Sequence, residues 1–154
     1  MNAHSMRLED EIKTAKFQNP RHKVAVNLIF TCNWLCEYET KRLKLHNLTM
    51  QQFNILRILR GQQPQPATVK LLRERMIDKS SDASRIVDKL LGKGLVNRAI
   101  CREDRRQCDI MITKKGLSLL TEIDKETANY DRFFSNLPDA ELIILSDLLD
   151  RLRG

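Results

Sequence analysis

The sequence predicts a mainly α-helical protein carrying one small β-hairpin. Two observations point that way. Apolar residues recur at helical spacing over most of the chain, and the pattern changes to alternation only between Leu95 and Ile112. Glycine and proline number five and four, few enough that each marks a boundary rather than a loop-rich region.

The elements follow in order. A long helix is expected over about Arg21 to His46, with Val26, Ile29, Phe30, Asn33, Trp34, Glu37 and Tyr38 at helical spacing. Thr49 and Gln52 form a capping box that opens a second helix bearing Phe53, Leu56 and Leu59, with Gly61 as its expected stop. Gln62 to Pro66 holds two prolines and reads as a loop. Thr68 can cap a short helix over Val69 to Met76. A fourth helix is expected over Lys79 to Lys93, capped by Asp78 or Ser80 and ended by Gly94. Ala83, Ile86, Val87, Leu90 and Leu91 give it one apolar face. Leu95 to Cys101 and Cys108 to Ile112 alternate as strands around a charged tip, Arg102 to Gln107. Thr113 caps a helix expected to reach Phe134. Pro138, at the first helical position, opens a last helix with Leu142, Leu145, Leu148, Leu149 and Leu152. The outer helices at both chain ends carry apolar stripes that the small middle domain does not fully cover, which is the pattern of a homodimer.

Charge separates the chain into regions. Residues 67–116 carry 13 Lys/Arg and 7 Asp/Glu, a net +6, whereas residues 117–154 carry 4 and 8, a net −4, within a total of +7. A basic helix–helix–hairpin unit beside an acidic helical one suits a phosphate-reading module joined to an assembly module. A solvated helical surface carries such charges too, so charge alone does not decide. No apolar leader opens the chain, and the greasiest stretch, Val24 to Cys36, is too short and too polar to cross a bilayer. A cytoplasmic protein with reduced cysteines and no membrane partner is expected. No glycine-rich phosphate loop, nucleophile elbow or paired-histidine zinc motif occurs, and three histidines leave little for a catalytic triad, so no enzyme is expected. No cofactor and no metal site is expected either.

The segments Lys93-Gly94-Leu95-Val96-Asn97-Arg98, Glu103-Asp104-Arg105-Arg106 and Ile110-Met111-Ile112-Thr113-Lys114-Lys115-Gly116 resemble the MarR family of winged helix-turn-helix transcription regulators. Ser80 to Leu90 resembles the family's recognition helix, and Leu48 to Phe53 the start of its second helix. The resemblance runs over about residues 24–152 and is most specific in the central block. It implies a winged helix-turn-helix domain over residues 49–116, a helical dimerisation region over 21–48 and 117–154, and an N-terminal extension over 1–20. It implies a ligand-responsive repressor that binds double-stranded DNA at a pseudo-palindromic operator as a homodimer.

The residues of that block have physical reasons to face DNA. A recognition helix enters the major groove by its N-terminal turn and favours small polar side chains there. Lys79, Ser80, Ser81, Ser84, Arg85 and Lys89 are the candidates, with Arg85 long enough for a guanine edge or a phosphate. Asp82 either accepts from a cytosine amine or favours the helix N-terminus electrostatically. Arg105 and Arg106 at the hairpin can enter a minor groove. Asp104 orients Arg106, as the family's motif implies. Arg98, inside the first strand, serves either DNA contact or a salt bridge.

Cys32 and Cys36 lie four residues apart on the first long helix, and a zinc site there would need two more ligands. They read first as small buried hydrophobes in a dimer core or pocket wall. Cys101 and Cys108 flank the hairpin and are expected to be free thiols. Members of the family bind small aromatic acids beside the dimerisation helices. By resemblance Asn33, Trp34 and Tyr38 can line such a pocket, although Trp34 and Tyr38 read first as core. The competing class is a winged-helix protein–protein assembly module without DNA readout, which would not need the +6 of residues 67–116. Scarce aromatics, 5% of the chain, argue against single-strand binding.

Overall fold

The computed structural model describes residues 7–14, 16–100, 108–126 and 134–154. The helices are α1 (Leu8–Glu11), α2 (Pro20–Lys44), α3 (Met50–Gln62), α4 (Val69–Arg75), α5 (Ala83–Gly92), α6 (Lys114–Asp124) and α7 (Asp139–Arg153), and the strands β1 (Val96–Ile100) and β2 (Cys108–Ile112) lie between α5 and α6. The expected architecture, mainly helical with one antiparallel hairpin, is therefore present. The chain divides into two compact units, Met1–Phe53 and Asn54–Gly154.

In the first unit Asn19 caps α2 by accepting from the His22 amide, with Pro20 at the helix start, where its missing N–H costs nothing. The α2 C-terminus turns through Asn47, whose φ of 54° is the left-handed conformation that asparagine tolerates. Thr49 and Gln52 exchange the two bonds of the capping box at 3.2 Å each. Late in α2, Glu39 and Arg42 are both nearly buried and paired at 2.7 Å, and the Arg42 guanidinium lies 5.5 Å from the centre of the Phe53 ring. Earlier in α2, Val24, Ile29 and Trp34 are exposed, whereas Val26, Leu28 and Phe30 are half-buried. Cys32 is exposed and Cys36 half-buried in the single chain. Partial burial pushes the Cys36 thiol pKa up, and Cys32 and Glu39 add to the effect.

The second unit has its own core. Ile55, Leu56 and Leu59 of α3, Leu72 of α4, Val87 and Leu90 of α5, Ile110 of β2 and Leu120 of α6 are all buried. Gly61 does not stop α3, which runs on to Gln62; the break belongs to the Gln63–Pro66 stretch, where Pro64 has no N–H to continue the ladder. The residue after that loop, Ala67, pairs with Ile110 through two 2.9 Å backbone bonds. The start of α4 is thereby tied to the hairpin. Gly94, with φ of 68°, turns the chain out of α5 as expected.

The hairpin pairs Val96 with Ile112, Asn97 with Met111, Arg98 with Ile110, Ala99 with Asp109 and Ile100 with Cys108. Cys108 thus faces Ile100. Cys101 and the wing residues Asp104, Arg105 and Arg106 lie outside the described residues. Thr113 caps α6 as expected, accepting from the Gly116 amide at 3.1 Å while its hydroxyl donates to the Gly94 carbonyl at 2.9 Å. Lys115 adds a 2.9 Å bond to the Lys93 carbonyl, so the start of α6 is stitched to the end of α5. Asp124 near the end of α6 accepts from Arg57 at 3.0 Å and from Arg60 at 2.5 Å, both on α3. The helix ends at Asp124 rather than reaching Phe134, and residues 127–133 are outside the described set.

Pro138 caps α7 instead of opening its first turn, because its own carbonyl accepts from Glu141 and Leu142. That helix buries no residue, and Ile143, Ile144, Leu145, Leu148 and Leu152 stand exposed along it. Among the described residues no helix is long and apolar enough to cross a membrane.

Candidate nucleic-acid interface

Two helices and the turn between them form the candidate site. Thr68 caps α4 by accepting from the Leu71 amide at 3.2 Å. Met76 ends that helix in extended backbone and is buried, which anchors the exit. The next residue, Ile77, is exposed, and its amide donates to Asn54 Oδ1 of α3 at 3.0 Å. The turn that follows is organised by Asp78. Its carboxylate accepts from the Ser80 amide at 3.0 Å and from the Ser80 and Ser81 hydroxyls at 2.6 Å each. Lys79 Nζ donates to the Glu74 carbonyl at the end of α4, where a cation complements the partial negative charge of a helix C-terminus.

This geometry corrects the expected start of the recognition helix. Neither Asp78 nor Ser80 is the cap. Asp82 is, accepting from the Arg85 amide at 3.1 Å, and the helix begins at Ala83. Of the two roles open for Asp82, the helix-terminal one is therefore present. Lys79, Ser80 and Ser81 sit in the turn before α5, and their polar atoms hold that turn. Ser84, Arg85, Asp88 and Lys89 make the exposed face of α5, while Ala83, Val87 and Leu90 are buried behind them. The inner face is apolar and the outer polar because the buried positions fall three and four apart, one stripe of a 3.6-residue helix.

Arg98 of β1 pairs with Asp88 of α5 at 2.8 Å. The salt-bridge alternative for Arg98 is thus observed. Both groups are partly exposed, so the pair is worth at most about 1 kcal/mol.

A recess of about 490 Å³ opens where α4 meets the turn and the start of α5. Its walls carry three cations, Lys70, Arg73 and Lys79, against one carboxylate, Asp82, together with Ser80, Ser81 and Ser84. Ala83 and Ser84, the first residues of α5, also line this space, and a helix N-terminus carries unpaired amides and the positive end of its dipole. A phosphate oxygen is the species such a place attracts. Lys70 and Arg73 were not among the residues singled out from the sequence. The available signal was their i,i+3 spacing on the polar side of α4, directly after a threonine cap.

Asn33 and Trp34 are exposed on α2, and Tyr38 is half-buried on the same helix. No described residues gather three or more histidine, cysteine or acidic side chains in a metal-binding cluster.

Comparison with known proteins agrees with this arrangement. The MarR family model matches residues 48–108, which spans α3 to the start of β2. The chain is 32% identical over 106 residues to the uncharacterized HTH-type transcriptional regulator YpoP of Bacillus subtilis, covering 68% of this chain and 74% of that protein. It is 28% identical over 117 residues to the HTH-type transcriptional regulator MhqR of the same organism, covering 75% and 79%. Among solved structures it shares its fold with an organohalide-sensing transcriptional regulator in its 2,4-dichlorophenol-bound form, RdhR-CbdbA1625, at a TM-score of 0.77 and 22% identity, covering 90% of this chain and 87% of that one. Helix-turn-helix geometry, the basic recess and these relatives lead to one assignment: the chain belongs to the MarR family of winged helix-turn-helix, DNA-binding transcription regulators.

Proposed function

We propose that the chain is a homodimeric, ligand-responsive repressor that reads a pseudo-palindromic operator in duplex DNA in the cytoplasm. The observation that carries DNA contact is the cationic recess at the start of α5. Lys70 and Arg73 take backbone phosphate there, and the exposed face of α5 presents Ser84, Arg85 and Lys89 to base edges. Lys79, Ser80 and Ser81 shape the turn that sets this helix at the groove. Arg105 and Arg106, the latter oriented by Asp104, reach the minor groove from the wing.

Residues 49–116 are the DNA-binding domain in this reading, residues 21–48 and 117–154 the dimerisation region, and 1–20 an extension. The exposed apolar residues of α7 and of the first half of α2 support the dimer, since a lone chain leaves Ile143 62% and Ile29 64% exposed. A small aromatic effector at Asn33, Trp34 and Tyr38 is supported by the phenol-bound neighbour and by the exposure of Trp34.

The test is titration of duplexes from the DNA beside the chain's own gene, with scrambled controls, at several salt concentrations. Log affinity should fall with log salt with a slope of several units. The Lys70→Ala/Arg73→Ala double variant should lower that slope by about two units. A nearly flat slope for the parent chain would refute DNA readout through this recess.

A further inference from the structure

Two thiols on α2 have no part in the reading above. The Cys32 and Cys36 sulfurs lie 4.0 Å apart, one helical turn from each other. Both are free, with Cys32 exposed. Their separation discriminates between the chemistries open to such a pair. A disulfide brings sulfurs to about 2.05 Å, so oxidation would pull the pair together by roughly half its spacing. A pyramidal trivalent thiophilic centre with bonds of about 2.3 Å and angles of about 100° holds its two sulfurs about 3.5 Å apart. The observed 4.0 Å is within about half an ångström of that geometry, a gap that small rotations of the two thiols close. A chelate across this pair would therefore not require a helical turn to unwind.

The number of donors narrows the ligand further. No third histidine, cysteine or carboxylate joins the pair among the described residues. A structural zinc site, which takes four protein ligands, is thus not assembled on this helix. A centre satisfied by two sulfurs is. Trivalent arsenic that already carries one organic group is such a centre, because two more bonds complete its coordination.

We propose that Cys32 and Cys36 form a two-thiolate chelating site for monosubstituted trivalent arsenicals. An arsonous acid, RAs(OH)₂, condenses with the two thiols. Two As–O bonds break and two As–S bonds form. Each thiol proton leaves with a hydroxide as water, so two waters are released. Arsenic stays trivalent and nothing is oxidised or reduced. Once the first sulfur is attached, the second acts at the high effective concentration of an intramolecular partner, which a monothiol in solution cannot match.

The experiment uses the full chain with Cys101→Ser and Cys108→Ser, so that only the α2 pair remains, and phenylarsine oxide as the probe. Intact-mass measurement should show one phenylarsenic group per chain. The adduct should survive millimolar glutathione, be removed by a dithiol, and leave helical circular dichroism unchanged. Adding Cys32→Ser or Cys36→Ser should each weaken binding by about a hundredfold or more, with thermal melting confirming that the variants fold. Either cysteine sits on a helix, so Cys32→Ala serves as a second variant should serine disturb the melt. The proposal is overturned by absence of an adduct, by displacement with glutathione, by serine or alanine variants that bind like the parent, or by loss of helicity on binding.

Discussion

Gly116→Ala should destabilise the protein, although the same exchange in most helices stabilises it. A Cβ built at Gly116 would lie 2.5 Å from the Leu95 carbonyl oxygen and 2.7 Å from Ile112 Cγ1. The side-chain carbon can shift, but the carbonyl cannot move freely, since it accepts from the Thr113 amide at 3.0 Å. That amide belongs to the cap that starts α6. The new methyl must therefore push the first turn of α6 off the hairpin. Overpacking of this kind costs about 1–3 kcal/mol, and the helical gain of alanine over glycine offsets about 0.5–1 kcal/mol. The net loss is on the order of 1–2 kcal/mol, or a few degrees in Tm for a chain of this length. Gly92→Ala is the internal contrast. It lies in α5 with nothing within 4 Å of the added carbon, so it should raise Tm by a few degrees at most, from about 0.4–1 kcal/mol. Thermal unfolding followed by circular dichroism measures both. Gly116→Ala melting at or above the parent chain would refute the argument that α6 is seated on the hairpin through this glycine.

Three further outcomes are expected. Arg85→Ala should cost about 1–3 kcal/mol on operator DNA and much less on random DNA, whereas Arg106→Ala should weaken both duplexes by similar factors and lower the salt slope by about one unit, with Asp104→Ala doing less; parent-like binding by a folded Arg106→Ala would remove the wing from the interface. Asp82→Ala should lose about 1 kcal/mol of stability with the α5 cap, and Asp82→Ser should restore most of it, both read by denaturant titration. Light scattering at micromolar concentration should give about twice the chain mass of 18.0 kDa, and a monomer that still binds operator tightly would defeat the dimer.

What could be read from the chain, and what could not, divides by the range of the interaction. Thr49, Thr68 and Thr113 cap their helices as expected because each bond closes within three residues, and Gly94 turns the chain because its conformation is local. The start of α5 departs from the sequence expectation for the opposite reason. Asp78, Ser80 and Asp82 are all good caps by residue type. The choice among them is made by the Ile77 amide on Asn54, 23 residues away, and by Lys79 folding back to Glu74. Those bonds hold residues 77–81 as a turn, and only Asp82 is left at the mouth of a helix. The link from Ala67 to Ile110 is longer still and leaves no local mark. The consequence reaches the proposed interface itself. With the Ser80 and Ser81 hydroxyls donating to Asp78, they are committed to shaping the turn. Substituting them should act on DNA affinity by tilting α5, and the direct contacts proposed fall instead on Ser84, Arg85 and Lys89 of α5 and on Lys70 and Arg73 of α4.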